Sequence, residues 1–373
     1  MAFKLGARQL VLAFSMAVAL ALGAAGAVPA AARSDQDRNS LTVMTRNMDT
    51  GTDFGYVFSA QTPLDVVVGS TFTYLEVVAS NPVGRAGGVA NEIQQTHPDV
   101  VALQEVTLWK VGANPGDPAT IPTIDQLSAL LDALKARGLH YTAEVTALNQ
   151  TAEAPTLIGA PAPGQLGIDV SFVDRDVLLV RSDAGLQLSN RQTAHFTHAL
   201  MLPPALGGGP LLRSWESIDV TRHHRTSRVI GTHLEAFDPA AQVGQAHEIA
   251  LGPAITDLPV ILAGDMNTGP GTEVLGYNQL LSDGFVDTWP STGDGPGLTN
   301  PLHNEDPLPP GSLIVDTAPF QRIDLILTMG RARPQETILT GASPSDKIPS
   351  GQWPSDHAGV VSEISVKGKS SDR

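Results

Sequence analysis

Acidic, amide and histidine side chains stand at the ends of several apolar runs in this sequence. In VILAGDMNTGP (Val260 to Pro270), an apolar stretch leads directly to Asp265 and Asn267. The residues with this placement are Asn47, Glu105, His233, Asp265, Asn267, Asp324, Asp356 and His357. One polar residue at a strand end is usually a turn former. Strand ends of layered α/β folds converge on one rim, so the whole set predicts a ligand site.

The carboxylates and amides of this set are suited to a hard metal ion. Glu105, Asp265 and Asp356 offer the oxygen ligands that Mg2+ prefers, with Mn2+ or Ca2+ as alternatives. Asn47 and Asn267 add neutral oxygens and amide donors, which suit a metal or a phosphate oxygen. The sequence therefore predicts a divalent-metal site.

The two histidines of the set add proton chemistry. His233 and His357 are candidate acids, bases or transition-state donors near neutral pH. A phosphodiester resists attack because its anionic oxygens repel a nucleophile, so metal and hydrogen-bond donors must offset the charge that develops. The combined residue types indicate metal-assisted attack of water on a phosphorus ester.

Strands carry most of these residues. Alternating or apolar runs predict strands over residues 41–48, 99–106, 174–182, 215–222, 228–237, 258–267, 322–329 and 357–366. Within the run that ends at Asn267, alternation is expected to place Asp265 and Asn267 on one face and Met266 on the other.

Three helices are predicted between the strands. One covers residues 85–96, and one ends near Leu251 after an N-cap at Asp238 and Pro239 at the first helical position. The third follows a capping-box pattern of Thr123 and Gln126. Because several successive strands lack an intervening helix, the pattern favours an α/β (α+β) fold of stacked sheets flanked by helices. We expect one domain over residues 41–367 and a loose tail over 368–373.

The N-terminal segment is typical of a secretory signal peptide. Residues 1–32 contain Lys4 and Arg8, an apolar run, and small residues before Arg33, and a short polar lead-in follows over residues 33–40. The alternative is an uncleaved anchor, because residues 10–28 are long enough to cross a bilayer. We expect a cleaved leader, a secreted protein and no later transmembrane segment.

Composition limits the possible chemistry and partners. The chain has 373 residues and no cysteine, which excludes disulfides, thiolate nucleophiles and cysteine-based zinc sites. Without the leader it carries 21 basic and 38 acidic side chains, a formal charge of −17. This charge disfavours broad binding of nucleic acid, although acids around a divalent metal still form a locally positive site. Nothing in the sequence implies a stable protein partner.

The motifs TRNM, LQEV, GTHL, GDMN, RIDLIL and SDH occur in this order between Asn47 and His357. The ordered set resembles the endonuclease/exonuclease/phosphatase superfamily, which includes pancreatic-type deoxyribonucleases, abasic-site endonucleases, inositol polyphosphate phosphatases and bacterial sphingomyelinases. The resemblance implies a four-layer α/β/β/α sandwich of two stacked mixed sheets flanked by helices. It also implies a magnesium-dependent phosphoesterase.

The same resemblance implies a metal site formed by Glu105, Asn47, Asp265 and Asp356. Glu105 is similar to the main magnesium ligand of the family, and Asn47 is expected close to the metal or the bound phosphate. Asp265, with Asn267, resembles the pair that orients the attacking water, assists the leaving group and contacts the phosphate.

The remaining catalytic roles fall on both histidines and their partners. His357 looks like the base near the water, paired with Asp324, and His233 resembles the histidine that stabilises the phosphoryl oxygens or acts as general acid. Asp174 occupies the place where deoxyribonucleases have an acid that pairs with their first histidine. By this resemblance, Asp174 would orient His233. Arg213 is similar to a phosphate-contacting arginine.

The sequence alone does not identify the substrate class. Thr107 stands where deoxyribonucleases have a minor-groove arginine, which disfavours duplex DNA. A phospholipid headgroup is the second diester candidate, but it would favour an exposed apolar hairpin, and none is obvious in the sequence. The residues are also compatible with a phosphomonoesterase and with a catalytically inactive secreted binding protein.

Several further residues are expected to be structural. His223 and His224 are assigned to a solvated hairpin turn, with a second metal site as the alternative. His195 and His198 have metal-like spacing but no evident acid nearby, so we expect surface roles. The tryptophans that either pack or line the mouth of the site are Trp109, Trp289 and Trp353.

Overall fold

The computed structural model describes residues 40–271, 273–303 and 315–366. The predicted leader, the lead-in before Ser40 and the predicted tail lie outside the described residues. The described residues fall within one compact unit of the chain. None of the helices that they form is both long and apolar enough to cross a bilayer.

Fourteen strands and seven helices make up the described fold. The strands are β1 (Ser40–Asn47), β2 (Val100–Gln104), β3 (Leu108–Pro115), β4 (Ile121–Asp125), β5 (Tyr141–Pro155), β6 (Ile168–Arg181), β7 (Gln187–His195), β8 (Ser214–Arg222), β9 (Arg225–His233), β10 (Val260–Asp265), β11 (Val286–Asp287), β12 (Asp324–Met329), β13 (Ala332–Thr340) and β14 (Gly359–Val366). The helices are α1 (Gly55–Phe58), α2 (Pro63–Ala79), α3 (Pro82–Thr96), α4 (Gln126–Ala136), α5 (Pro239–Leu251), α6 (Val274–Ser282) and α7 (Trp289–Thr292).

The strands form two mixed sheets. The eight-stranded sheet has the order β13-β14-β1-β2-β6-β3-β4, with β5 paired to β6, and the six-stranded sheet has the order β11-β12-β10-β9-β8-β7. Strand β1 runs parallel to β2, and β10 runs parallel to β9. The other described pairings are antiparallel, because hairpins join many successive strands.

Three apolar clusters divide the molecule into layers. One cluster joins strands of both sheets, including Val43 of β1 and Ile261 of β10. A second packs α3 and α4 on the outer face of the larger sheet, and a third packs α5 and α6 on the outer face of the smaller one. The expected four-layer α/β/β/α sandwich is therefore confirmed.

Strand alternation explains why the polar residues converge. In β10, Ile261 and Ala263 face the other sheet, whereas Leu262 packs under the outer helices. Since side chains alternate, Asp265 at the end of β10 projects toward the space between the sheets. Its partner across the parallel pairing is His233, and its partner across the antiparallel pairing is Asp324. Three of the predicted site residues are therefore adjacent by register alone.

Parallel strands β9 and β10 approach closely at the glycine of the GDMN motif. A Cβ atom on Gly264 would collide with the backbone oxygen of Thr232. The missing side chain lets the two strands that carry His233 and Asp265 pair without distortion.

Helices α1, α2, α6 and α7 were not predicted from the sequence, and one predicted helix cap is wrong. The 17-residue helix α2 was missed because its sequence is rich in β-branched residues, but Thr62 caps it in a capping box with Asp65. The capping box predicted at Thr123 is wrong, since Thr123 lies in β4 and Asp125 is the N-cap of α4. The N-cap predicted at Asp238 is confirmed by its bonds from two backbone N–H groups of α5.

Candidate active site

His357 and Asp324 form a buried pair at the rim between the sheets. His357 Nδ1 lies 2.8 Å from Asp324 Oδ2, and its Nε2 lies 3.5 Å from Asp356 Oδ2 and 3.8 Å from Asp265 Oδ2. Burial acts to lower the pKa of His357, but the carboxylates of Asp324, Asp356 and Asp265 outweigh it and raise the pKa well above its usual value. The ring thus has one anchored nitrogen and one that faces the site.

Asp265 lies at the centre of the site. Its Oδ2 accepts a hydrogen bond from Asn47 Nδ2 at 3.1 Å and lies 3.6 Å from His233 Nε2. Burial raises the pKa of Asp265 to about 7. This carboxylate can therefore exchange a proton in the neutral pH range.

Asn267 reaches the site by a different route from the one predicted. Strand β10 ends at Asp265, and Asn267 has a left-handed backbone with φ of 49°. Alternation therefore does not set its direction, and the shared-face argument was wrong for this residue. Its backbone N–H donates to Asp265 Oδ1, and its side-chain amide donates to the backbone oxygen of Leu234. Both Asp265 and Asn267 line the same cleft, and Met266 packs in the outer core as expected.

The carboxylate of Glu105 accepts hydrogen bonds from the end of β1 and from the loop that follows it. Its Oε1 accepts from Asn47 Nδ2 at 2.9 Å, and its Oε2 accepts from the backbone N–H and the hydroxyl of Thr50 at 2.7 and 2.8 Å. Its backbone is left-handed, with φ of 56°, which breaks the alternation of β2. Sequence reasoning missed Thr50, although it stands only three residues after the asparagine of the TRNM motif.

The loop that carries Thr50 is fixed from two helices. Arg85 of α3 forms an ion pair with Asp49 at 2.8 Å, and Gln126 of α4 donates to the backbone oxygens of Met48 and Asp49. Thr107 is also buried, and its N–H and hydroxyl both donate to Gln126 Oε1. Thr107 therefore supports this loop and does not face the cleft.

His233 is oriented by Arg213 and not by the predicted acid. Arg213 Nη1 lies 2.8 Å from His233 Nδ1. A guanidinium only donates, so Nδ1 is the acceptor and Nε2 carries the proton of the neutral ring. Burial, with the charges of Arg213 and His357, holds the pKa of His233 well below its usual value.

Asp174 lies behind this pair. Its Oδ2 accepts from Asn149 Nδ2 at 3.2 Å, and Asn149 also donates to Asp176 at 2.8 Å. Burial raises the pKa of Asp174, and the nearby charge of Arg213 lowers it. Asp174 and Arg213 thus interact by charge, and both line the cleft. No sequence pattern indicated Asn149, which the fold brings in from β5.

The donor set of the rim fits a divalent cation. Burial and the charge of Asp356 raise the pKa of Glu105, so positive charge close to these two carboxylates would be favourable. Ligand atoms of Asp265, Asp324 and His357 also lie within 4.8 Å of one another. In this group, Asp324 is already hydrogen-bonded to His357 Nδ1. Asn47 donates from its amide nitrogen to Glu105 and Asp265, and its oxygen accepts from the backbone N–H of Asp49.

A cleft of about 620 Å3 opens over the site. Trp109 lines it, whereas Trp289 and Trp353 pack in apolar clusters. The cleft is also lined by part of an uncharged segment, residues 199–212, which we call the apolar loop. Its residues Leu202 and Leu206 face the cleft. An apolar loop is therefore present at the cleft, although none was obvious in the sequence.

The four further histidines considered in the sequence, His195, His198, His223 and His224, lie at the surface. His223 and His224 form the exposed left-handed turn between β8 and β9, as predicted. His195 lies near the backbone oxygen of Leu148. His198 does have an acid nearby, because its Nδ1 lies 2.6 Å from Glu248 Oε1. No third ligand from the described residues joins these groups.

The sequence matches the model of the endonuclease/exonuclease/phosphatase family over residues 78–357. The chain belongs to this family. The resemblance inferred from the ordered motifs is confirmed, and members of the family are metal-dependent hydrolases of phosphoric esters. No curated protein matched the sequence significantly.

Solved structures of the endonuclease/exonuclease/phosphatase fold resemble this chain at low sequence identity. A family protein from Bacteroides vulgatus has a TM-score of 0.51 and 13% identity, with 88% of this chain and 99% of that chain covered. D. rerio TDP2, solved with a single-strand DNA product, has a TM-score of 0.50 and 18% identity, with 87% and 98% covered. A Leptotrichia buccalis family protein has a TM-score of 0.50 and 16% identity, with 87% and 99% covered. These likenesses establish the shared fold.

Proposed function

We propose that this protein is a secreted, divalent-metal-dependent phosphodiesterase that hydrolyses its substrate by attack of water on phosphorus. The observation that carries the proposal is the convergence of two oppositely tuned histidines on Asp265. His357 is held by carboxylates and His233 by a guanidinium, so each ring presents its Nε2 to the same carboxylate. Such separation of pKa values is typical of acid–base sites.

The position of each residue in the site indicates its role in catalysis. His357, anchored by Asp324, and Asp265 lie where a water molecule can be oriented and deprotonated. His233 Nε2–H and Arg213 are the donors for phosphoryl oxygens. A divalent cation, Mg2+ by preference, would be held by Glu105 and Asp356 and would supply positive charge to offset the charge developing on the phosphate.

A diester suits the cleft better than a monoester. Among the described residues that line it, Arg213 is the one lysine or arginine, beside six acids. A dianionic monoester would require more positive charge than a monoanionic diester. A catalytically inactive binding protein would not require the paired, buried His357 and Asp324.

Hydrolysis of bis(p-nitrophenyl) phosphate and p-nitrophenyl phosphate, with Mg2+, Mn2+, Ca2+ or EDTA, tests the proposal. We expect release of nitrophenolate from the diester with metal, none with EDTA, and a smaller rate with the monoester. Asp265→Ala should abolish hydrolysis and leave the circular dichroism spectrum unchanged, and the exposed Asp294→Ala is the control. An active Asp265→Ala protein would overturn the assignment.

Secretion is a separate part of the proposal and rests on the pattern of residues 1–32. Expression of the full chain in a bacterial host should release a protein that begins at Arg33. N-terminal sequencing of the protein from the medium tests this expectation. A membrane-bound product that retains Met1 would support the uncleaved anchor instead.

A further inference from the structure

The cleft over the site is chemically divided. Its lining combines the polar residues described above, and others such as Thr52, Ser70 and Gln150, with two groups of apolar side chains. In one group, α1 and the residue before it contribute Phe54, Val57 and Phe58, and Phe237 stands beside them. The apolar loop forms the other group with Leu202 and Leu206. A substrate that contacts the polar residues with its phosphate can therefore place another part against these apolar groups.

Backbone hydrogen bonds hold the apolar loop in a defined conformation. It is closed at its base by the hydrogen bond from Phe196 N–H to the backbone oxygen of Arg213 at 3.0 Å. Within it, Leu202 N–H donates to Gly209 oxygen at 2.8 Å. The loop ends directly at Arg213, which contacts His233. The apolar loop is therefore joined to the candidate site with no intervening polar segment.

The second apolar group that lines the cleft consists of aromatic rings in contact with one another. Phe58 and Phe237 meet edge to face with centroids 5.7 Å apart, and Phe54 meets Phe172 in the same way at 5.0 Å. Phe237 is nonetheless 59% exposed. A large apolar side chain left exposed at the mouth of a ligand cleft marks a contact surface.

Charge argues against a nucleic-acid chain in this cleft. A nucleic-acid strand is held by several cations along its backbone, together with stacking side chains. The described lining has aromatic rings but only Arg213 as a lysine or arginine, and the acids Asp53 and Glu153 also line the cleft. The cleft thus favours a single phosphate with an uncharged, apolar substituent.

We propose that the substrate is a phosphodiester with a hydrocarbon chain on one ester oxygen, and that this chain lies between the apolar loop and the Phe58–Phe237 pair. The inference rests on the proposed phosphodiesterase function and adds the substrate class. Water attacks phosphorus, the bond to the leaving alcohol oxygen breaks, and that oxygen takes up a proton. The products are an alcohol and a phosphate monoester.

A series of p-nitrophenyl methyl, butyl and hexyl phosphodiesters tests the substrate class. Burial of one methylene favours binding by about fourfold, so kcat/KM should rise at least about tenfold from the methyl to the hexyl ester. Leu202→Asn and Phe237→Ser should remove most of this rise and leave the methyl ester unaffected. Met201→Asn is the matched control, because Met201 is the neighbouring residue, is 62% exposed and does not line the cleft.

Binding gives a readout that does not depend on turnover. In calorimetry, dihexyl phosphate should bind at least about tenfold more tightly than dimethyl phosphate, and Leu202→Asn should abolish the difference. Equal binding of the two, equal kcat/KM across the series, or faster cleavage of a single-stranded oligonucleotide than of the hexyl ester would overturn the inference. Tight binding of dihexyl phosphate without hydrolysis of any diester would support the place assigned to the hydrocarbon chain and overturn the proposed phosphodiesterase function.

Discussion

Asp324 Oδ2 lies 2.8 Å from His357 Nδ1, and this contact turns His357 Nε2 toward Asp265. The carboxylate fixes the orientation of the ring and, in the neutral form of the ring, keeps the proton on Nδ1. The contact joins the start of β12 to the segment before β14, so it links the two sheets. An acid that orients a histidine in this way usually contributes a large part of catalysis.

Asp324→Asn should lower kcat on a chromogenic phosphodiester by about 10²- to 10⁴-fold. The amide has similar size but can present its N–H to Nδ1, which favours the wrong tautomer. Steady-state kinetics over a range of pH measures the effect. Asp283→Asn is the control, because Asp283 pairs with the exposed His247 at 3.0 Å. A fall of less than about threefold in the Asp324 variant would remove His357 from the mechanism.

Arg213→Gln should release the tautomer of His233. Without a guanidinium donor at Nδ1, the ring is free to carry its proton on either nitrogen, and kcat should fall by about 10²-fold. Nitrogen chemical shifts of His233 should show the proton on Nε2 in the wild type and a mixture in the variant. An unchanged tautomer in the variant would show that Arg213 does not orient the ring.

Glu105→Gln should abolish stabilisation by metal. A ligand at 100 times its dissociation constant stabilises the folded state by about 2.7 kcal/mol, so metal should raise the wild-type Tm. The amide variant should show no such rise with Mg2+, Mn2+ or Ca2+ in calorimetric scans. Glu153→Gln is the control within the same cleft. A full metal-dependent rise in the Glu105 variant would place the metal elsewhere.

Glu216→Gln should change how stability depends on pH. Glu216 is fully buried, and burial, followed by the charge of Asp176, raises its pKa well above the usual value. The folded protein therefore holds a proton that the unfolded chain releases above about pH 4.3. Stability from this group is present at low pH and is lost as pH rises toward the folded pKa.

Thermal scans from pH 4 to pH 9 test this prediction. The Tm of the Glu216 variant should exceed that of the wild type at high pH, and the difference should shrink toward pH 4. The exposed Glu336→Gln variant should follow the wild type throughout. A constant difference between Glu216→Gln and wild type at every pH would mean that Glu216 does not titrate in the folded protein.

The layered fold and most strand-end residues were predictable because apolar alternation reports burial directly. Asp265 and Asp324 both follow from the period of their strands. Glu105 and Asn267 were identified from their motifs, but their directions depend on left-handed backbone, which strand periodicity does not encode. Thr50 and Asn149 were missed because their roles arise from contacts between segments far apart in sequence. The apolar loop was missed for a similar reason, since its composition alone does not show that it faces a cleft.

The left-handed backbone of Glu105 has an evolutionary consequence. An L-residue other than glycine or asparagine in this conformation costs about 1–2 kcal/mol, and the buried carboxylate adds its own repulsion toward Asp356. Glycine at this position would relieve both while it removes the metal ligand. The carboxylate also accepts hydrogen bonds from Asn47 and Thr50, so heat resistance would be gained only without metal and only where the relieved strain exceeds the loss of these bonds.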